Sequence, residues 1–150
     1  RRIRKMIEEK EKLSREDFAR MQTDLLSLRA AESVPGIVGL LGESSDSRIQ
    51  AAVGYLKSWD RRMEPDSVGA SIFEVFFDAW VREVAGARFE GEAVGLLASA
   101  TSGLSTELLS VDRHGWFMDG DRAKAAGRAM TTALAALSKR PRRWRWCCHR

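Results

Sequence analysis

Few side chains in this sequence have the types and spacing that catalysis or metal binding requires. Its only histidines are His114 and His149, and its only cysteines are the adjacent Cys147 and Cys148. Neighbouring cysteines rarely form a disulfide with each other because the geometry is strained. Structural zinc sites use a tetrahedral set of ligands that are spaced along the chain. We therefore interpret Cys147 and Cys148 as free thiols rather than as a zinc site with His149.

The carboxylates do not suggest a catalytic pair. Gln22, Asp24 and Ser27 interleave with the apolar positions of a predicted helix. General acid–base catalysis by Asp24 would need a histidine or a second carboxylate at a matching spacing, and the sequence offers neither. We favour a solvated face or a buried hydrogen bond to a neighbouring helix. Phosphate-binding, His-Glu-x-x-His and Gly-x-Ser-x-Gly motifs are also absent, so we assign no catalytic and no metal-binding residue.

One connection has the composition of a loop that lines a site. Residues 112–121 combine charged and aromatic side chains, and binding residues are often carried on such loops. The alternative, which we favour, is that Trp116 and Phe117 plug the loop onto the helical body.

The elements that must position these groups are predicted to be helices. Residues 50–80 read as two amphipathic helices joined by a polar turn at residues 59–67. Pro65 prevents the first helix from continuing, and Ser67 can cap the second. The large apolar side chains of this stretch are Trp59, Phe73, Phe76, Phe77 and Trp80. Burying one such side chain contributes ~1.5–3 kcal/mol, so this pair is the expected anchor of the core.

Upstream, residues 1–11 read as a charged helix, and a second helix follows Ser14. Asp17 stands three residues after Ser14, which is the spacing of a capping box. We predict that Pro35 and Gly36 break the chain before a short helix at residues 37–41.

Between the last upstream helix and the central stretch, residues 42–47 read as a loop, and Asp46 or Ser47 is expected to cap the next helix. The second central helix is expected to end near Gly86. Downstream predictions are a short helix within residues 87–104, another at 105–109, and a longer one at 122–137 capped by Asp119 or Asp121. Residues 144–146 could begin a strand, but no segment predicts one firmly. The expected fold class is mainly α.

The net charge of the chain is concentrated at one end. The formal charge of the 150 residues is +4, yet residues 139–150 contain six Lys or Arg and no acid. The remaining residues have 19 basic against 21 acidic side chains, which gives −2. A general nucleic-acid surface would need basic residues gathered on one face of the fold, so the body does not predict one. No apolar run has the length of a membrane span, and no signal peptide is visible.

Several stretches, in their order and spacing, resemble the penicillin acylase (penicillin amidase) family of N-terminal nucleophile hydrolases. The N-terminal match runs from Lys12-Leu13-Ser14 through Gln22-Thr23-Asp24-Leu25-Leu26-Ser27. The most specific match is Leu56-Lys57-Ser58-Trp59-Asp60, followed by Met63 and by Ser67-Val68-Gly69-Ala70-Ser71-Ile72-Phe73. Further similar features are Gly115-Trp116-Phe117 and Trp144-Arg145-Trp146, so the resemblance covers nearly the whole segment.

The resemblance implies a larger α+β protein of the αββα N-terminal nucleophile hydrolase type. In that family a precursor is cut into a small alpha and a large beta chain, and a serine at the start of the large chain attacks the amide. The family's oxyanion asparagine cannot lie here, because the chain contains no asparagine. Its Ser-Asn start motif is absent as well. We therefore expect residues 1–150 to be one internal helical segment of the large chain, without the nucleophile.

Further expectations follow from the resemblance. The substrate would be a linear amide, such as the side-chain amide of a β-lactam or an N-acyl homoserine lactone. The partners would be the rest of the precursor and this small molecule, with no nucleic acid and no membrane. No cofactor is expected in this segment, although family members can bind calcium elsewhere. The family implies a periplasmic or extracellular location. After the Trp-x-Trp motif the family usually has Gly and, three residues after that Gly, His. This chain has Cys147 in place of the Gly, and His149 falls one position early.

An alternative function belongs to a different class. A small helical binding module could use the basic tail at residues 139–150, in which Arg and Trp alternate, to contact nucleic acid or an acidic membrane. The confinement of the positive charge to one end argues against this alternative.

Overall fold

A computed structural model of the protein describes residues 2–113, 115–118 and 121–139. Within these ranges the chain forms eight α-helices and no strand, which confirms the mainly α prediction. The helices are α1 Arg2–Glu8, α2 Arg15–Gln22, α3 Leu28–Leu41, α4 Ser47–Ser58, α5 Val68–Gly86, α6 Glu92–Ala98, α7 Ser102–Ser110 and α8 Asp121–Ser138. No helix in the described ranges is both long and apolar enough to cross a membrane.

Helix α5 lies at the centre of the bundle. It packs along α8 and also contacts α4, α6 and α7. Phe73, Phe76 and Trp80 are fully buried, because they recur at the three- and four-residue spacing that places side chains on one helix face. This confirms that the second central helix anchors the core. Helix α8 packs closely on the rest of the bundle because its side chains at the contact are small. They are the buried alanines Ala125, Ala126, Ala129 and Ala133.

Helix α2 begins with a capping box. The Ser14 hydroxyl accepts a hydrogen bond from the Asp17 amide, and Asp17 accepts one from the Ser14 amide at 3.0 Å. The buried Asp17 carboxylate also receives Lys10 Nζ at 2.6 Å and Arg20 at 3.1 Å. The hydrogen bond from Lys10 and the one from the Ser14 backbone lower the pKa of Asp17 to about 2. The predicted capping box is therefore confirmed.

The predicted helix break at Pro35 is wrong. Pro35 lies inside α3, which runs from Leu28 to Leu41, and the chain breaks instead between α2 and α3. The Ser27 hydroxyl caps α3 by accepting from the Ala30 amide at 3.1 Å. The local cost of a helical proline is of order 3 kcal/mol. Burial of Val34 and Ile37 on the same helix offsets that cost, since both are at most 1% exposed.

The other helix predictions agree with the structure within a few residues. Asp46 caps α4 by accepting from the Arg48 amide at 2.8 Å, and α5 ends at Gly86 as predicted. The short helices predicted after Gly86 correspond to α6 and α7. Helix α8 begins at Asp121, whose carboxylate lies in the first turn. Asp119 and the possible strand at residues 144–146 lie outside the described residues.

Candidate functional site

The Trp59–Ser67 turn is held by its own side chains. Trp59 Nε1 donates to the carbonyl oxygen of Arg62 at 2.8 Å, and the Arg62 amide donates to Asp60 at 3.0 Å. Arg61, between them, has a φ of 67°, which is in the left-handed region that non-glycine residues rarely occupy. Arg61 also donates from its guanidinium to the Trp59 carbonyl. The Trp-Asp pair thus builds a tight turn.

The following helix begins directly against this tryptophan. Ser67 caps α5 by accepting from the Ala70 amide at 3.2 Å. A Cβ at Gly69 would lie 2.5 Å from both Cβ and Cγ of Trp59, so only glycine permits this approach. The ring of Trp59 then lies 5.7 Å, centroid to centroid, from Phe73. The residues of this stretch that carried the family resemblance are therefore packing and capping residues.

The same turn is tied to the connection between α2 and α3. The Ser27 amide donates to Arg61 at 3.0 Å and the Met63 amide donates to Leu25 at 2.9 Å, both to carbonyl oxygens. Asp24 lies beside this pairing and forms an ion pair with Arg2 at 2.5 Å. The hydrogen bond from Arg2 lowers the pKa of Asp24. These contacts give Asp24 and Ser27 structural roles, as the sequence suggested. The predicted helix that carried both residues is wrong, because α2 ends at Gln22 and both lie in the connection before α3.

The loop that follows α7 is fastened to the bundle by its aromatic residues. The Asp112 carboxylate accepts from the amides of Trp116 at 2.7 Å and Phe117 at 2.8 Å. Trp116 Nε1 donates to the carbonyl oxygen of Val84 at 2.8 Å, and Phe117 stacks on Trp80 with 5.5 Å between ring centroids. The favoured interpretation, in which Trp116 and Phe117 plug the loop onto the helical body, is confirmed.

A cavity of about 350 Å³ lies where this loop meets the end of α5 and the start of α8. Its wall has an apolar part, made by Trp116, Phe117 and Met118, and a charged part. The charged lining residues are Arg82, Glu83, Arg88, Asp121 and Arg128. We call this the α5–α8 cavity. The sequence pattern singled out the loop but not the arginines, because Arg82 on α5, Arg88 in the turn after it and Arg128 on α8 come together only in the folded chain.

Two of the arginines are held in fixed positions. Arg128 donates from Nε and Nη2 to one oxygen of Glu83, at 3.0 and 2.7 Å, and this carboxylate raises the pKa of Arg128. The Arg88 guanidinium lies 5.6 Å from the centroid of the Trp116 ring and donates to the Gly115 carbonyl oxygen. An arginine stacked on an indole and bonded to backbone loses little further entropy when it binds an anion.

The described residues do not assemble a hydrolytic centre. Two serine hydroxyls, Ser33 and Ser105, are fully buried without a hydrogen-bond partner in the described part of the chain. An activated serine needs an adjacent base, and neither hydroxyl has one within hydrogen-bonding distance among those residues. The described ranges also contain no cluster of three His, Cys, Asp or Glu that could hold a metal ion.

The remaining sequence predictions fall on residues that the structure does not describe. His114 lies in the gap within the loop, and Cys147, Cys148 and His149 lie in residues 140–150. The basic tail, apart from Lys139, therefore gives no structural information on the binding-module alternative.

The comparisons identify the class and then the family of this helical segment. The family model described as penicillin amidase matches residues 1–149. The class of protein is therefore a hydrolase that acts on amide bonds. This match spans nearly all of the 150 residues, so the chain belongs to the penicillin amidase family. A search of curated proteins found no match to the chain.

Proposed function

We propose that this segment is part of an amidohydrolase that cleaves linear amides, either the side-chain amide of a β-lactam or an N-acyl homoserine lactone. The observation that supports this proposal best is the family match over residues 1–149. The packing of the motif residues adds support, since Trp59, Gly69 and Phe73 form one fitted unit. In a region that supports an active site, the family motifs are expected to consist of packing residues.

In this proposal residues 1–150 are an internal helical scaffold of the large chain, near the acyl cleft, and supply no catalytic group. The chain has no asparagine for the family's oxyanion site. The nucleophilic serine, its α-amine and the oxyanion donors come from the remainder of the precursor, which is the partner of this segment. Preorganised donors of this kind stabilise the tetrahedral intermediate. Any calcium ion is bound outside this segment, and the enzyme acts in the periplasm or outside the cell.

The loop at residues 112–121 is the part that we place closest to the cleft. It joins the end of α7 to the start of α8, and its aromatic side chains fix it to α5. A loop that is held on rigid helices can present side chains to a substrate without a large cost in conformational entropy.

The test is an amidase assay of the whole protein and of residues 1–150 alone. The substrates are chromogenic anilides with aryl-acetyl and long-chain acyl groups, and N-acyl homoserine lactones. We expect the whole protein to release amine from at least one substrate and residues 1–150 to release none. Absence of hydrolysis by the whole protein on every substrate would contradict the proposed activity, whereas turnover by residues 1–150 would contradict the scaffold role.

A further inference from the structure

Helices α1 and α2 lie apart from the core of the bundle. The extensive packing between helices of the described chain lies among α3 to α8, and the core cluster of buried residues begins at Ala30. The buried apolar residues of the two N-terminal helices are one methionine each, Met6 on α1 and Met21 on α2. Helices of seven and eight residues are not stable on their own in water, so other contacts must hold them.

Most of the large apolar side chains on these two helices face solvent. Ile3, Phe18 and Ile7 are 60%, 52% and 43% exposed, respectively. The hydrophobic effect stabilises a structure in proportion to the apolar area that leaves water. Burial therefore contributes little to the attachment of α1 and α2.

Ion pairs at both ends fasten α1 to α2 and to the connection that follows it. Arg2 pairs with Asp24 at 2.5 Å, and Lys10 pairs with Asp17 at 2.6 Å. The side chains of Asp24 and Asp17 are only 9% and 6% exposed, so these pairs are stronger than pairs between fully exposed groups. Arg20 also pairs with Asp17, but it does so within α2. The attachment of α1 thus depends on charge more than on apolar contact.

The connection after α2 is anchored to the bundle by a separate set of contacts. The Ser27 amide donates to the Arg61 carbonyl oxygen at 3.0 Å, and the Met63 amide donates to the Leu25 carbonyl oxygen at 2.9 Å. Neither bond involves α1 or α2. The two N-terminal helices can therefore come away from the bundle without breaking this anchor.

We infer that residues 2–22 form an N-terminal arm that ion pairs latch closed, and that screening of these pairs opens the arm while α3 to α8 stay folded. Opening of one segment below the free energy of global unfolding is a general property of weakly packed elements. The open arm adds Met6 and Met21 to the apolar side chains that are already exposed. This inference goes beyond the proposed function because it requires no hydrolysis, and a protein without amidase activity can still open its arm.

The experiment is hydrogen–deuterium exchange of the whole protein, followed by mass spectrometry, in dilute buffer and in ~1 M NaCl, where the Debye length falls to about 3 Å. Rates are corrected with an unstructured peptide that is measured in both solutions. The amides of α1 and α2 are compared with those of α5 and α8, which lie in the core of the bundle.

The variants are Arg2→Gln, Asp24→Asn and the double variant, which together isolate the contribution of this ion pair. Arg48→Gln is the matched control, since Arg48 is an exposed arginine whose ion pair with Asp46, at 2.9 Å, lies outside the arm. Circular dichroism establishes that each variant is folded. The salt comparison on the wild type decides the inference even if a variant fails to fold.

We expect the amides of α1 and α2 to exchange about three- to tenfold faster in high salt, as expected when partly exposed ion pairs are weakened, while those of α5 and α8 keep their rates. In dilute buffer the two single variants and the double variant should each speed exchange in α1 by a similar factor, because each breaks the same pair, and Arg48→Gln should not. Exchange in α1 and α2 that responds neither to salt nor to these variants would overturn the inference. Exchange of all four helices at one common rate would also overturn it, because the arm would then open only when the whole bundle unfolds.

Discussion

Two glycines of α3 give a direct test of the packing between α3 and α7. A Cβ built on Gly36 would lie 2.6 Å from the carbonyl carbon and oxygen of Leu109, whereas a Cβ on Gly39 would have no neighbour within 4 Å. Ordinary carbon contacts are about 3.5–4.0 Å, so Gly36→Ala would force α7 to retreat by roughly 1 Å. Leu108 and Leu109 are 1% exposed, and a displaced α7 would loosen their packing.

The expected magnitudes follow from two opposing effects. Replacing a helical glycine by alanine stabilises a helix by about 1 kcal/mol, and this is the whole effect expected at the exposed Gly39. Overpacking costs about 1–3 kcal/mol, and at Gly36 the obstacle is backbone, which cannot rotate away. Gly36→Ala should therefore lower the free energy of unfolding by up to about 2 kcal/mol, and the two variants should differ by the overpacking cost, about 1–3 kcal/mol.

Urea unfolding, followed by circular dichroism at 222 nm, measures this difference on the two variants and the wild type. The midpoint should move to lower urea in Gly36→Ala and to higher urea in Gly39→Ala, with an unchanged slope. If Gly36→Ala is as stable as Gly39→Ala, α3 and α7 do not approach each other as described.

Three other substitutions test separate parts of the fold. Gly69→Ala should lower the free energy of unfolding by about 1–3 kcal/mol in a urea titration, because its Cβ would overlap Trp59. Its control is Gly86→Ala at the other end of α5, which has no neighbour within 4 Å and should not lose stability. The Asp17 carboxylate, with its pKa lowered to about 2, stabilises the fold above its unfolded pKa of about 3.9. The stability gap between wild type and Asp17→Asn should thus be full near neutral pH and shrink as the pH falls from about 4 to 2; a gap independent of pH would refute the assignment. Trp80→Phe removes the 2.8 Å hydrogen bond from Trp80 Nε1 to the Ser105 carbonyl oxygen of α7 and should lower the free energy of unfolding by about 2 kcal/mol or more. A loss well below about 1 kcal/mol would show that this hydrogen bond contributes little.

The helices were predictable where the local signals agree with the packing. Ser14, Asp46 and Ser67 each precede a helix with a free side-chain acceptor, and each caps it. The spacing of the aromatic residues on α5 also predicted its buried face. In these cases local propensity and burial favour the same structure, so a pattern read along the chain is sufficient.

The error at Pro35 has a tertiary cause. A proline usually marks the start or end of a helix, but α3 continues because its apolar face is buried and Gly36 fits against α7. The true break after α2 depends on two hydrogen bonds with the turn, in which the Ser27 amide donates to the Arg61 carbonyl oxygen and the Leu25 carbonyl oxygen accepts from the Met63 amide. That pairing joins residues more than thirty positions apart, so the local sequence does not predict it.

The candidate site was predictable only in part. Residues 112–121 stood out by composition, and Trp116 and Phe117 fasten the loop as expected. The charged wall was missed because Arg88 and Arg128 are forty residues apart, one in the turn after α5 and one on α8, and each looks like an ordinary surface arginine. Their shared position arises from the packing of α5 against α8, which no spacing rule within one helix predicts.

The most direct test of the central claim is to label the whole protein with a serine-directed sulfonyl fluoride and to locate the label by mass spectrometry. The claim is that the protein is an amidohydrolase whose nucleophile lies outside residues 1–150. We predict that amidase activity is lost as one label appears on an N-terminal serine of the large chain. A stoichiometric, inactivating label on any residue between 1 and 150 would contradict this account.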